Sequence, residues 1–97
     1  MSKVILLVNV ELEPGKREDY LTTTNLLRKR FDAGIGYAVF ENRGKEENSF
    51  TEMFTFPDMA AYEAFDDGDD EEANDLFAKI IGMSKRSPKY TTLLEID

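Results

Sequence analysis

The chain has 97 residues and a formal net charge of −8, from 12 Lys plus Arg against 20 Asp plus Glu, with no Cys, His or Trp. The empty columns exclude disulfides, thiol nucleophiles, zinc–thiolate sites, an imidazole base and His-ligated metal or haem. The length predicts one domain over 1–97, the 41% hydrophobic content is too high for a disordered acidic segment, and the acidic surplus repels phosphate backbones.

The five-residue apolar run Val4 to Val8 is too short for a signal core or a membrane span, so a cytoplasmic location is expected. The strand Val4 to Leu12 is apolar on both alternating faces in its first half, which predicts a central position, and Asn9 and Glu11 restore alternation. Pro14-Gly15 opens a helix over Lys16 to Phe31. Glu18 and Asp19 suit its first turn, and Arg28-Lys29-Arg30 complements the macrodipole at its end. Tyr20, Thr24, Leu27 and Phe31 share one helical face. Gly34 and Gly36 stop the helix.

Ile35, Tyr37 and Val39 alternate with Ala38 and Phe40 in a second strand, and Asn42 to Asn48 form a polar hairpin loop. Phe50, Glu52, Phe54 and Phe56 share one face of a third strand, with Met53 opposite. Pro57 ends it and suits the first turn of a short helix carrying Ala61, Tyr62 and Phe65. The run Asp66 to Glu72 reads as a solvated acidic loop, with Asp69 and Glu72 spaced as a capping box. A calcium loop is ruled out by spacing, because Gly68 stands third where the pattern wants Gly sixth. Ala73, Leu76, Phe77 and Ile80 stripe a third helix to about Gly82. Pro88 precedes a last strand, Lys89 to Ile96, with Leu93 and Leu94 on opposite faces.

The order β-α-β-β-α-α-β predicts an α+β, ferredoxin-like sandwich: a four-stranded antiparallel sheet with helices on one face and the first and third strands central. The helices cover one face only, yet the strands are apolar on both. The other face is therefore expected to pair with a second copy in a homodimer.

Six residues are candidates for a site. Tyr20, Tyr37, Tyr62 and Tyr90 are phenols that orient a ligand or donate a proton, or else fill the edge of the core. Asn9 interrupts an apolar strand; it polarises a substrate oxygen, or pairs with a neighbouring side chain. Glu52 sits among phenylalanines. Buried there it becomes a base of raised pKa; alternatively it pairs with Arg43, Arg86 or a cation of the partner chain. Phe50, Phe54 and Phe56 are placed like the base-stacking aromatics of RNA-recognition motifs, but the motif's basic start is missing and the charge is wrong. No metal site, nucleic-acid partner or membrane partner is expected.

Several stretches are similar to the dimeric α+β barrel superfamily, in its antibiotic-biosynthesis-monooxygenase-like branch. They are Pro14-Gly15-Lys16 before the long helix, Gly34-Ile35-Gly36-Tyr37, Phe50-Thr51-Glu52-Met53-Phe54, and Ala61-Tyr62-Glu63-Ala64-Phe65. The resemblance covers nearly the whole chain and implies a barrel built by two chains. It departs from the family at Phe54, near a frequent Trp, and at Phe65, near a frequent His. The haem-degrading members use Asn, Trp and His, of which only Asn9 has a counterpart, so no cofactor is expected. What the resemblance leaves is cofactor-free oxygenation of a small aromatic substrate, polycyclic or quinol-like, whose own anion supplies the electrons, with Tyr37, Tyr62 and Asn9 orienting it. The alternative is a non-catalytic metabolite-binding or regulatory dimer, because Pro14-Gly15 at a strand–helix junction also resembles ACT-type sensors.

Overall fold

The computed structural model describes residues 2–31, 34–44, 48–68 and 70–96. The elements run β1 (Val4–Glu11), α1 (Arg17–Arg30), β2 (Gly36–Glu41), β3 (Ser49–Phe56), α2 (Met59–Asp67), α3 (Glu71–Met83) and β4 (Lys89–Leu94). All strand pairs are antiparallel in the order β2-β3-β1-β4, which puts β1 and β3 in the centre, as the element order and the two-faced patterning of β1 predict. This is the expected ferredoxin-like arrangement. No helix is long and apolar enough to cross a membrane among the described residues.

The two faces of the sheet differ. Val4, Leu6, Val8 and Val10 of β1 are buried with Phe50, Phe54 and Phe56 of β3. They pack with Tyr20 and Leu27 of α1 and with Ala73, Leu76, Ile80 and Met83 of α3 in one core. On the other face lie Ile5, Leu7, Ala38 and Met53, half-buried, with Phe40 and Leu93 exposed. The Cα envelope is only 20 Å across its thinnest direction, room for one sheet and one helical layer.

Local chemistry explains the element boundaries. Thr23 and Thr24 are buried in α1, and each hydroxyl bonds back to a carbonyl one turn earlier, at 2.8 and 3.0 Å. Asp58 caps α2 by accepting from the Ala61 N–H at 2.9 Å, so Pro57 precedes the cap and does not enter the first turn. The cap of α3 is Asp70, accepting from Ala73 N–H; the expected capping residue Asp69 lies outside the described residues. Asp66 and Asp67 extend α2 rather than forming a loop. That helix ends at Gly68, whose φ of 51° is left-handed and whose N–H donates to Phe65 O.

Asp70 is also engaged by Arg30, which forks onto its carboxylate at 2.7 Å and reaches Glu72 at 2.6 Å. The Arg30 guanidinium, through its hydrogen bonds, holds the Asp70 carboxyl below its ordinary range. The end of α1 is thereby tied to the start of α3. At the far end of α3, Met83 O accepts from Glu13 N–H and Glu11 O from Lys85 N–H. These bonds hold the α3–β4 connection against the end of β1. The strand β4 stops at Leu94, two residues before the expected end, and Ile96 is 89% exposed.

Candidate functional site

The register of the sheet builds one row of side chains under the helices. Val39 faces Glu52, Glu52 faces Val8, and Val8 faces Tyr90. A shift by one residue would turn Glu52 to the open face, so the alternation of β3 is what puts an acid in the core. Glu52 is 2% exposed. Its hydrogen-bond partners among the described residues are two phenols. Tyr20 donates to Oε2 at 2.8 Å from α1, and Tyr37 donates to Oε1 at 3.1 Å from β2.

The sequence alternatives for Glu52 named Arg43 and Arg86. Neither is its partner; Arg86 Nε instead lies 2.9 Å from Glu11 Oε2. Two arginines stand over neighbouring rings instead. The Arg28 guanidinium lies 5.9 Å from the Tyr37 ring centre, and that of Arg17 lies 5.3 Å from the Phe50 ring centre. Burial therefore dominates, pushing the Glu52 carboxyl above its ordinary value, while the two phenol hydrogen bonds pull it partly back. Burial, and then the charge of Glu52, push both phenols upward, so Tyr20 and Tyr37 stay neutral donors.

Glu52 lines a cavity of ≈ 170 Å³. Its floor is Leu6, Val8, Phe54 and Tyr90 of the sheet. Its roof is Phe65 of α2 with Phe77, Ile80 and Ile81 of α3, and Pro88 closes one side. Ile81 and Tyr90 are 51% and 61% exposed, which marks the mouth at the α3–β4 side. The wall is apolar apart from one carboxyl and the Tyr90 hydroxyl. The lining matches the dimensions and polarity of an apolar ring and sets one carboxyl beside it.

Of the six predicted residues, four converge here: Glu52 and Tyr90 line the cavity, and Tyr20 and Tyr37 hold Glu52. Tyr62 lies apart, its hydroxyl 3.3 Å from Thr92 Oγ1 and its ring against Phe56. Asn9 sits on the open face and accepts from Thr51 Oγ1 at 2.7 Å, the pairing with a neighbour that its position allowed. It does not reach the cavity. Sequence reasoning did not place Ile81 and Pro88 in a wall. The signal for Ile81 was there: it continues the stripe one turn beyond Phe77, on the same face of α3.

The fold is shared with solved structures of low sequence identity. A protein from Caulobacter crescentus, described as an antibiotic biosynthesis monooxygenase, superposes with a TM-score of 0.83 at 14% identity, over 99% of this chain and 92% of that one. A conserved protein from Methanosarcina mazei gives 0.81 at 11% identity, over 96% and 92%. A cofactor-independent oxygenase from Streptomyces nogalater gives 0.76 at 12% identity, over 94% and 90%. No family model matches the chain, and no curated protein matches it in sequence. The likeness shows an antibiotic-biosynthesis-monooxygenase-like fold.

Proposed function

We propose that the chain is a single-domain, cofactor-independent monooxygenase-like enzyme of the cytoplasm, acting on a small aromatic substrate in the cavity beside Glu52. The observation that carries this reading is a carboxyl of raised pKa, held by two phenols, in the wall of an apolar cavity. Such a carboxylate is a general base in a dry site, where proton abstraction from an electron-rich phenol is its natural task.

The reaction balances without a cofactor. Glu52 takes the phenolic proton, and the phenolate gives one electron to dioxygen. Superoxide and the ring radical combine at the para carbon, forming a C–O bond. Glu52 returns its proton to the peroxide; the para C–H proton is then lost as the O–O bond breaks, so hydroxide and that proton leave as water and the ring leaves as a para-quinone. The phenol gives up four electrons and dioxygen takes them; one oxygen atom enters the ring and the other becomes water. Tyr20 and Tyr37 keep Glu52 oriented, and Tyr90 at the mouth meets the polar end of the substrate.

The test is oxygen uptake with electron-rich monocyclic phenols, followed by mass analysis of the quinone formed under labelled dioxygen. One labelled atom per product is expected. A folded protein with no uptake above buffer overturns the reading. One observation favours a second reading, a non-catalytic binder: each oxygen of Glu52 already accepts a hydrogen bond, as a purely structural buried acid requires. That reading expects saturable binding of a phenol with no consumption.

The active form in this proposal is a homodimer. Its support is the uncovered sheet face with Ile5, Leu7, Phe40, Met53 and Leu93, an apolar surface that a second copy would remove from water.

A further inference from the structure

The cavity beside Glu52 has a neighbour. A second cavity of ≈ 220 Å³ lies between the end of α1 and the α2–α3 corner, with Phe31, Ile35, Ala64 and Asn74 in its lining. Two side chains belong to both linings, Phe65 and Phe77. Their rings stand edge to face with centroids 5.9 Å apart. They differ in how closely other rings approach them. Phe65 rests against Phe54 and Phe56, each at 5.2 Å. Phe77 meets Phe54 and Phe31 only at 6.3 Å. The partition between the two spaces is thus one closely packed ring and one less closely packed ring.

Size makes the partition matter. An apolar cavity of about 150 Å³ accommodates one benzene ring. The Glu52 cavity is of that order, so one ring beside Glu52 fills it. A second fused ring would meet the partition that Phe65 and Phe77 share, or extend through the mouth into water, where it gains little. We propose that Phe77, braced by Phe65, is the specificity-determining wall of this site: it restricts the aromatic ligand to one ring, and removing it joins the two cavities. The inference rests on the aromatic-substrate reading of the cavity and adds the ring count and the residue that sets it.

The test compares catechol with 2,3-dihydroxynaphthalene by calorimetry without oxygen, so that binding is read apart from turnover. In the natural protein the second ring should add less than threefold to affinity. In Phe77→Ala the naphthalene probe should tighten at least tenfold relative to catechol. Phe77→Leu keeps more of the packing and should move the same ratio about threefold, which covers an alanine variant that fails to fold. Lys79→Ala, exposed on the same helix, should leave the ratio unchanged. A ratio that does not move in either Phe77 variant, or a natural protein that already prefers the naphthalene tenfold, overturns the wall while the aromatic reading stands. Catechol failing to bind the natural protein overturns both.

Discussion

At the scale of single residues, Glu52 is the group on which most depends. A carboxyl pushed upward by burial is more protonated in the folded chain than in the unfolded one. Its contribution to stability is therefore complete below the unfolded value and declines as the pH rises through the folded one. Replacing it with Gln removes that dependence. The stability advantage of the natural protein over Glu52→Gln should thus be largest at pH 4 and shrink toward pH 8, read as urea midpoints of the two proteins side by side. An advantage that grows with pH would contradict the direction of the shift. In the proposed reaction the same variant should lose roughly 10²–10⁴-fold in kcat. Tyr20→Phe removes a fully buried hydrogen bond to this acid and should cost about 1.5–3 kcal/mol. It also removes a contact that pulls Glu52 downward, so the acid limb of the pH–rate profile should move to higher pH.

At the scale of elements, α2 is the weakest link of the site. None of its residues is fully buried, whereas α3 buries Ala73, Leu76, Ile80 and Met83. It nevertheless supplies Phe65 to the roof of the cavity. Its start is secured by the Asp58 cap, so Asp58→Ala should cost about 1 kcal/mol and Asp58→Ser much less. Amide exchange over Met59–Asp67 should quicken in the alanine variant before that of α3 does. Equal quickening in both helices would mean that they open together. The two-faced apolarity of β1 and the alternation of Phe50, Glu52, Phe54 and Phe56 were legible because strand periodicity is local. The cap of α3 falls on Asp70, one residue after the aspartate whose spacing fits a capping box, because neighbouring aspartates offer the same chemistry and only the backbone selects between them. Pro57 lies outside α2 for a similar reason: proline suits a first turn, but the next residue, Asp58, takes the cap.

At the scale of the whole molecule, the sheet is covered once. In the proposed dimer, a stable interface of roughly 800 Å² per chain would span most of the open face. Leu7→Lys puts a charge at its centre without touching the helix-side core, and should convert a dimeric sedimentation mass to a monomeric one while the fold survives. A natural protein that sediments as one chain at micromolar concentration counts against the dimer. The acidic surface adds a condition: copies of a chain at −8 repel each other, so association should strengthen as salt is raised.

By itself the sequence determined the element order, the central strands, the apolar second face and the exclusion of His- and Cys-based chemistry. These follow from periodicities of two and 3.6 residues and from residue types, all of which are local. It also marked Glu52, Asn9 and four tyrosines as candidates, of which the structure brings Glu52 and three tyrosines together. It could not say that Tyr20 and Tyr37 would meet Glu52, across 32 and 15 positions of chain. Nor could it say that Asn9 would point away from them, or that Ile81 and Pro88 would frame the mouth. Those relations belong to sheet register and helix docking, where packing decides which of several chemically equivalent neighbours come within hydrogen-bond reach. Burial decides the rest: the same carboxyl is ordinary in water and a raised-pKa group once the core closes over it, even though two phenols pull it partly back.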